Sequence, residues 1–218
     1  MTLLGILGGT FDPVHIGHLR AALELKARLA LPEVRLIPCG TPAHREQPQA
    51  SNAQRLELLR LAVADEPGLI VDDRELRRPG PSYMVDTLRE LKVDQAGKTL
   101  CLALGSDAFM ALHTWHQWQD ILALAHLVVW HRPQWELARV WHSLRPEVRK
   151  LVEAGRARQV GDLTATNSGR VYFLPIPGMD ISASQIRSLV TAGDSIRYLV
   201  PDAVLQQVLQ IYGKECTE

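Results

Sequence analysis

Gly9-Thr10-Phe11-Asp12-Pro13-Val14-His15-Ile16-Gly17-His18 follows the apolar run Leu3 to Leu7 and precedes an amphipathic stretch from Leu19 to Ala30. The order is strand, glycine-rich turn, two histidines, helix. In a parallel α/β sheet the ligand crevice lies beyond the carboxyl ends of the strands, and phosphates settle on helix N-termini. Two imidazoles three residues apart at a helix start can both face such a phosphate. Gly8 and Gly9 permit a tight turn and close approach of a ligand to the backbone. The plain alternative is an ordinary strand-to-helix turn with packed or capping histidines. The ten-residue pattern as a whole speaks for nucleotide chemistry.

Working outward, short apolar runs alternate with helical patterns. The predicted strands are Leu3 to Leu7, Val34 to Pro38, Leu69 to Val71, Leu100 to Leu104, Leu127 to Trp130 and Val171 to Leu174. The first helix is expected to bury Leu19, Ala22, Leu23, Ala27 and Ala30. A second, opened by Ser51 or Asn52, aligns Leu56, Leu59 and Val63. A third runs from Ser82 to Val93, and a fourth from Asp107 to Ala125 with a break near Trp115. The last carries the stripe Val204, Leu205, Val208, Leu209 and Tyr212, with Pro201 suited to its first turn. This alternation predicts an α/β fold with a parallel sheet covered on both faces. Residues 1–218 read as one domain with a C-terminal helical portion. Pro38 to Pro48 reads as a loop, as does the polar stretch Gly161 to Gly169. The charged run Asp72, Asp73, Arg74, Glu75, Arg77 and Arg78 reads as a solvated edge.

Composition narrows the partners. The chain has 24 Lys+Arg and 24 Asp+Glu, a formal net charge of zero. Proteins that live on nucleic-acid backbones show basic excess, so a small anionic ligand is favoured and nucleic acid is not. Three scattered cysteines, Cys39, Cys101 and Cys216, suit a reducing compartment. No apolar run reaches membrane-spanning length and no signal-peptide pattern opens the chain. The expectation is a soluble, cytoplasmic protein. Oligomeric state is not legible.

Near the other end stands Ile181-Ser182-Ala183-Ser184-Gln185-Ile186-Arg187. Ser182 with Gln185 has capping-box spacing, and Gly193 suits the helix C-terminus. The same geometry would let first-turn amides, hydroxyls and Arg187 bind the outer phosphates of a nucleotide.

Together the two segments resemble the nucleotidyltransferase superfamily, whose pattern is Gly-x-Phe-x-Pro-x-His-x-Gly-His and Ile-Ser-x-Thr-x-x-Arg. Gly9, Phe11, Pro13, His15, Gly17 and His18 match the first motif throughout. Ile181, Ser182 and Arg187 match the second, with Ser184 keeping the hydroxyl of the usual threonine. His15-Ile16-Gly17-His18 is also the tetrapeptide of class I aminoacyl-tRNA synthetases, but the chain is short, lacks basic excess and shows no Lys-Met-Ser-Lys-Ser-like segment. Within the superfamily the chain is most similar to bacterial nicotinate-nucleotide adenylyltransferases. That likeness extends over Pro38 to Arg45, Pro81 to Thr87, Gly105-Ser106-Asp107, Leu112 to Trp115 and His131-Arg132-Pro133.

The resemblance implies a Rossmann-like doubly wound sheet. It also implies transfer of the adenylyl group of ATP to nicotinate mononucleotide, with Mg²⁺, in NAD biosynthesis. It assigns ATP binding to Gly8, Gly9, Thr10, Phe11, His15, His18, Asp107, Ile181, Ser182, Ser184 and Arg187. Of these, His15, His18 and Arg187 are the candidate catalytic residues. It assigns the acceptor to His44, Arg45, Met84, Thr87, Trp115, His116 and Arg132. Trp115 is expected to stack on the pyridine ring, and main-chain amides near Met84 and His116 to read its carboxylate. Trp118, Trp130, Trp135 and Trp141 are read as packing. Asp107 reads equally as a ribose contact and a helix N-cap. Arg132 reads equally as a substrate contact and an ion-pair partner. His113 and His116 share a helical face, but no third ligand suggests a metal site. Magnesium is expected to be held by phosphate oxygens and water, with no protein ligand assigned. Nicotinamide-mononucleotide or phosphopantetheine adenylyl transfer, and a non-enzymatic nucleotide sensor, are the alternatives.

Overall fold

The computed structural model describes residues 2–43, 46–131, 137–176 and 179–213. In chain order the elements are β1 (Thr2–Gly9), α1 (Ile16–Arg28), β2 (Val34–Pro38), β3 (Thr41–Pro42), α2 (Asn52–Ala62), β4 (Leu69–Val71), α3 (Arg74–Arg77), β5 (Pro81–Ser82) and α4 (Met84–Asp94). There follow β6 (Lys98–Gly105), α5 (Ser106–Met110), a 3-10 turn (Leu112–Thr114), α6 (Trp118–Leu124), β7 (His126–His131), α7 (Leu137–Ser143), α8 (Pro146–Gly155), α9 (Gly161–Thr164), β8 (Val171–Pro175), α10 (Ala183–Ala192) and α11 (Asp202–Tyr212).

Six strands form one parallel sheet in the order β4-β2-β1-β6-β7-β8. The order runs one way from β1 and the other way from β6, so the topological switch point lies between these two strands. β1 and β6 pair from Thr2 opposite Lys98 to Leu7 opposite Ala103. Their carboxyl ends carry Gly8-Gly9 and Gly105, side by side. The sheet therefore brings the N-terminal motif to the place where this architecture binds ligands.

Period-two alternation divides the core. Leu3, Leu7, Leu36, Cys101, Ala103, Val128 and Leu174 face one side, packed with residues of α1, α2, α10 and α11. Leu4, Ile6, Ile37, Leu100, Leu102, Leu104, Leu127 and Val129 face the other, packed with α4, α5, α6 and α8. Both faces of every central strand are covered, which is why these strands read as continuous apolar runs. Burying one such leucine stabilises the fold by about 1.5–3 kcal/mol.

The helices depart from the sequence reading in instructive ways. α1 begins at Ile16, with His15 as its N-cap, and its buried face is Ala21, Ala22 and Leu25, continued by Leu29. Ala27 and Ala30 are exposed. The predicted stripe was rotated because Glu24, a charged residue, lies on the buried face, where Arg20 and Arg28 pair with it. The break expected near Trp115 in the fourth helix is present: α5 and α6 are separated by a 3-10 turn and by Gln117 in the left-handed region at φ 48. Gly161 to Gly169 is more than a loop. It contains α9, the Leu163 side chain is fully buried, and the Thr166 carbonyl meets His126 Nε2 at 3.0 Å. Thr41–Pro42 and Pro81–Ser82 form a two-residue parallel ladder, so part of the predicted loop after β2 is anchored.

The charged run after β4 is the clearest correction. Asp72 is 5% and Glu75 4% exposed. Asp72 accepts from Arg35 at 2.9 Å and from Arg74 at 2.9 Å. Arg74 and Arg78 also reach Glu90 on α4. Asp72, Arg74 and Glu75 are thus drawn inward where a solvated edge was expected, because Arg35 and α4 supply partners from elsewhere in the chain, while Arg77 stays exposed.

Candidate active site

The first motif leaves β1 at Gly8-Gly9 and enters α1 at Ile16. Thr10 offers its carbonyl to Nη1 of the buried Arg55 guanidinium, whose Nη2 donates to the carbonyl of Cys39 at 2.7 Å and to Asn52 Oδ1 at 2.6 Å. One cation thus ties the turn after β1 to the turn after β2. Phe11 occupies the left-handed region at φ 50 and is 1% exposed. Its ring packs edge-on to His18, with centroids 5.0 Å apart. What Phe11 can offer a nucleotide is therefore backbone, and its side chain serves as the wall behind His18.

His15 and His18 stack, with ring centroids 3.6 Å apart and planes inclined by 25°. The His15 N–H donates to His18 Nδ1 at 3.3 Å. A ring nitrogen that accepts carries no proton, so neutral His18 carries its hydrogen on Nε2. Burial pushes the His15 imidazole down to about 4. Burial, and then the adjacent His15, hold His18 well below its ordinary value. Both rings are neutral at pH 7. His15 Nδ1 is buried and meets no partner. Gly17 has a steric reason: a Cβ there would lie 3.0 Å from His15 Nδ1 and push the ring out of the stack.

The α1 backbone is less open to a phosphate than a bare helix N-terminus. The Ile16 N–H donates to the Leu199 carbonyl at 2.9 Å, and the His18 N–H to the His15 carbonyl at 3.0 Å. With these two first-turn amides taken, the His18 side chain is a donor that this end of α1 can present.

The second motif arrives from the other end of the chain. Ser182 caps α10, accepting from the Gln185 N–H at 3.2 Å. The Ser182 and Ser184 hydroxyls lie 3.1 Å apart and are exposed. Gly193 ends the helix in the left-handed region, as expected. Ile181 packs against the core within reach of Gly17. Arg187 donates from Nη1 to the backbone carbonyl of Asp12 at 2.6 Å, across 175 positions of sequence. The bond therefore brings Arg187 onto the segment that carries the two histidines.

On the β6 side, Asp107 is exposed in the first turn of α5, but the N-cap is Gly105. The N-cap reading of Asp107 is thus corrected, and its carboxylate is available to solvent or ligand. Met84 is the first residue of α4, where the Asp86 and Thr87 amides bond the Tyr83 carbonyl and those of Met84 and Val85 come before the first intrahelical bond. Its side chain reaches β1: a Cβ at Gly8 would fall 2.7 Å from Met84 Cε. Trp115 is half-buried against the second core. His116 is exposed and packs its ring against Tyr83, with centroids 4.3 Å apart and planes inclined by 32°. That contact ties the start of α4 to the turn before α6.

Thr87 is fully buried and its hydroxyl donates to Glu75 at 2.6 Å. A direct contact with substrate is thereby replaced by a supporting one, holding α3 against α4. Burial pushes the Glu75 carboxyl up despite that bond. His113 Nδ1 sits 3.1 Å from the Met110 carbonyl, a structural position. His44, Arg45 and Arg132 lie outside the described residues.

Asp12, Arg55, Tyr83 and Tyr212 are the residues that reading the sequence missed. Asp12 stands in a variable slot of its motif, and Arg55 sits among the leucines of α2. Only the fold shows what they hold.

Residues 6–189 match the family described as Cytidylyltransferase-like. The parallel sheet, the paired histidines and the converging arginine thus define a nucleotidyltransferase of that class. The chain belongs more narrowly to the nicotinate-nucleotide adenylyltransferases. It is 48% identical over 208 residues to the probable nicotinate-nucleotide adenylyltransferase of Cellvibrio japonicus, covering 95% of this chain and 96% of that one. It is 43% identical over 207 residues to the probable enzyme of Aeromonas hydrophila, covering 95% and 94%. The fold is similar to that of Plasmodium falciparum nicotinic acid mononucleotide adenylyltransferase complexed with NaAD. That match has a TM-score of 0.70 at 14% identity, over 97% of this chain and 94% of that one.

Proposed function

We propose that the crevice at the ends of β1 and β6 transfers the adenylyl group of ATP to nicotinate mononucleotide, releasing pyrophosphate. The observation that carries this reading is the Arg187–Asp12 bond, which brings the second motif's cation to the paired histidines of the first. A phosphate oxygen of the mononucleotide attacks the α-phosphorus of ATP. The bond from that phosphorus to the bridging oxygen of the β-phosphate breaks, and its electron pair leaves with pyrophosphate. The nucleophile is already anionic, so the protein has no proton to remove from it. Its work is positioning and stabilisation of shifting charge. His18 donates from Nε2 to phosphate oxygens, with His15 beside it. Arg187 and the Ser182 and Ser184 hydroxyls hold the leaving group. Asp107 takes a ribose hydroxyl.

Trp115 stacks on the pyridine ring, and main-chain amides at Met84 and His116 bind its carboxylate. His44, Arg45 and Arg132 are proposed to reach the same substrates.

We assign Mg²⁺ as the divalent cation. Among the described residues no cluster of three or more His, Cys, Asp or Glu side chains is placed to hold a metal. The side chains set against the phosphates are imidazole, guanidinium and hydroxyl, the Asp12 carboxylate is engaged by protein donors, and the exposed Asp107 carboxylate is assigned to the ribose. A hard cation that keeps its waters fits this site when carried on phosphate oxygens, where it neutralises their charge.

Among the described residues no helix is long and apolar enough to cross a membrane. A cytoplasmic location is proposed from the scattered cysteines and the reaction.

ATP labelled at the α-phosphorus tests the direct transfer. The label is expected in the dinucleotide product and at no time covalently on the protein. A labelled protein intermediate would contradict the in-line route.

A further inference from the structure

We infer that Asp12 is a positioning residue for Arg187, oriented in turn by the Tyr212 hydroxyl of α11. The inference rests on the adenylyl-transfer reading, in which Arg187 holds the leaving pyrophosphate. A carboxylate inside a polyphosphate-binding motif repels the ligand, so its presence needs a physical reason.

The bonds of Asp12 supply one. Oδ1 accepts from the Tyr212 hydroxyl at 2.7 Å and from the Ala50 N–H at 3.0 Å. Oδ2 accepts from the Gln49 N–H at 3.0 Å and lies 3.5 Å from Arg187 Nη1. The backbone carbonyl of the same residue accepts from that Nη1 at 2.6 Å. Asp12 is 5% exposed, so protein groups enclose its carboxylate.

A guanidinium is planar and rigid. Nη1 is held at the Asp12 carbonyl with the Asp12 carboxylate 3.5 Å away as its ion-pair partner, which restricts the guanidinium and directs its remaining N–H groups. Asp12 grips Arg187 from behind. Tyr212, 6% exposed, fixes the carboxylate that does so. Burial, and then the bond to Asp12, push the Tyr212 hydroxyl up, so it stays a donor. The last described helix therefore reaches the chemistry through one hydroxyl, 200 positions from its partner.

Substitutions separate this role from packing. Asparagine at 12 keeps the shape but turns one acceptor oxygen into an amide that faces other donors. Phenylalanine at 212 keeps the ring and loses one bond. The test measures kcat, the two KM values and the affinity for inorganic pyrophosphate. Wild type, Tyr212→Phe and Asp12→Asn are compared, each with Arg187 intact and with Arg187→Ala. With Arg187 intact, Tyr212→Phe is expected to lower kcat roughly 3–10-fold and Asp12→Asn roughly 10–100-fold. The acceptor KM should stay within about twofold in both. In the Arg187→Ala background neither should lower kcat or pyrophosphate affinity further. Equal losses in both backgrounds, or losses confined to the acceptor KM, would overturn the proposal. Should Asp12→Asn not fold, Tyr212→Phe carries the same comparison. A wild type that binds pyrophosphate but transfers nothing would refute the reaction. The binding cycle would still decide the positioning, additivity refuting it and non-additivity supporting it.

Discussion

The His15 and His18 rings lie stacked with centroids 3.6 Å apart, and the His15 N–H fixes His18 in the tautomer that donates from Nε2. Two neutral imidazoles can lie this close without mutual repulsion, and burial keeps them neutral. The pair presents a hydrogen-bond donor at the end of α1, where the backbone donors of Ile16 and His18 are already bonded.

Removing that donor should act on turnover. His18→Ala is expected to lower kcat by about 10²–10³ while changing ATP affinity much less, because the bond strengthens as charge moves onto pyrophosphate. His18→Gln, which keeps an N–H, should recover part of the loss. Steady-state kinetics with a separate ATP-binding titration checks this; an equal loss in both would reduce His18 to a binding residue.

The buried imidazoles also set a pH dependence of stability. The His15 pKa falls from 6.5 in the unfolded chain to about 4 in the fold. The unfolded state then binds the proton more tightly. The contribution is complete above pH 6.5 and is lost as pH falls toward 4. Between pH 7 and 5 His15 alone should account for about 2 kcal/mol of lost stability. Urea unfolding of wild type and His15→Gln at both values measures it. The wild type should lose more than the variant; equal losses would refute burial of a neutral His15.

Two glycines should fail for different reasons. A Cβ at Gly40 collides with the backbone carbonyl of Glu75, which cannot swing away. Gly40→Ala is expected to destabilise the fold by about 1–3 kcal/mol. A Cβ at Gly17 instead meets the His15 ring at 3.0 Å. Gly17→Ala should lower kcat with a smaller loss of stability. Thermal melts beside kinetics separate the two, and identical profiles would contradict the assignment.

Asp72 tests the buried ion cluster. Burial alone would push its carboxyl up; bonds from Arg74 and Arg35 outweigh this and leave it lowered. Asp72→Asn weakens the hold on two poorly exposed arginines, which keep Glu33, Glu90 and Asp94 as partners, and should destabilise by about 1–3 kcal/mol. Chemical denaturation gives the value, and a change within experimental error would return this run to a solvated edge.

These residues show how much the sequence discloses. The strands were legible because central parallel strands bury both faces: the apolar run Leu100 to Leu104 falls inside the buried strand β6. The two motifs were legible because each is a contiguous pattern. What stayed hidden depends on side-chain pairing, distant or along a helix. Asp72 looks solvated until Arg35 is found beside it, 37 positions away. Glu24 rotates the apparent face of α1 because its arginines neutralise it on the helix. Asp12 gives no hint of Tyr212, and Thr87 looks available until Glu75 takes its hydroxyl.

The most direct test offers nicotinate mononucleotide and nicotinamide mononucleotide in parallel, with ATP and Mg²⁺, and follows pyrophosphate release. A pocket that reads the ring carboxylate through main-chain amides should favour the nicotinate form by a wide margin in kcat/KM, since the carboxamide brings its own N–H donors to those amides. Equal efficiency, or preference for the carboxamide, would contradict the acceptor pocket at Met84, Trp115 and His116.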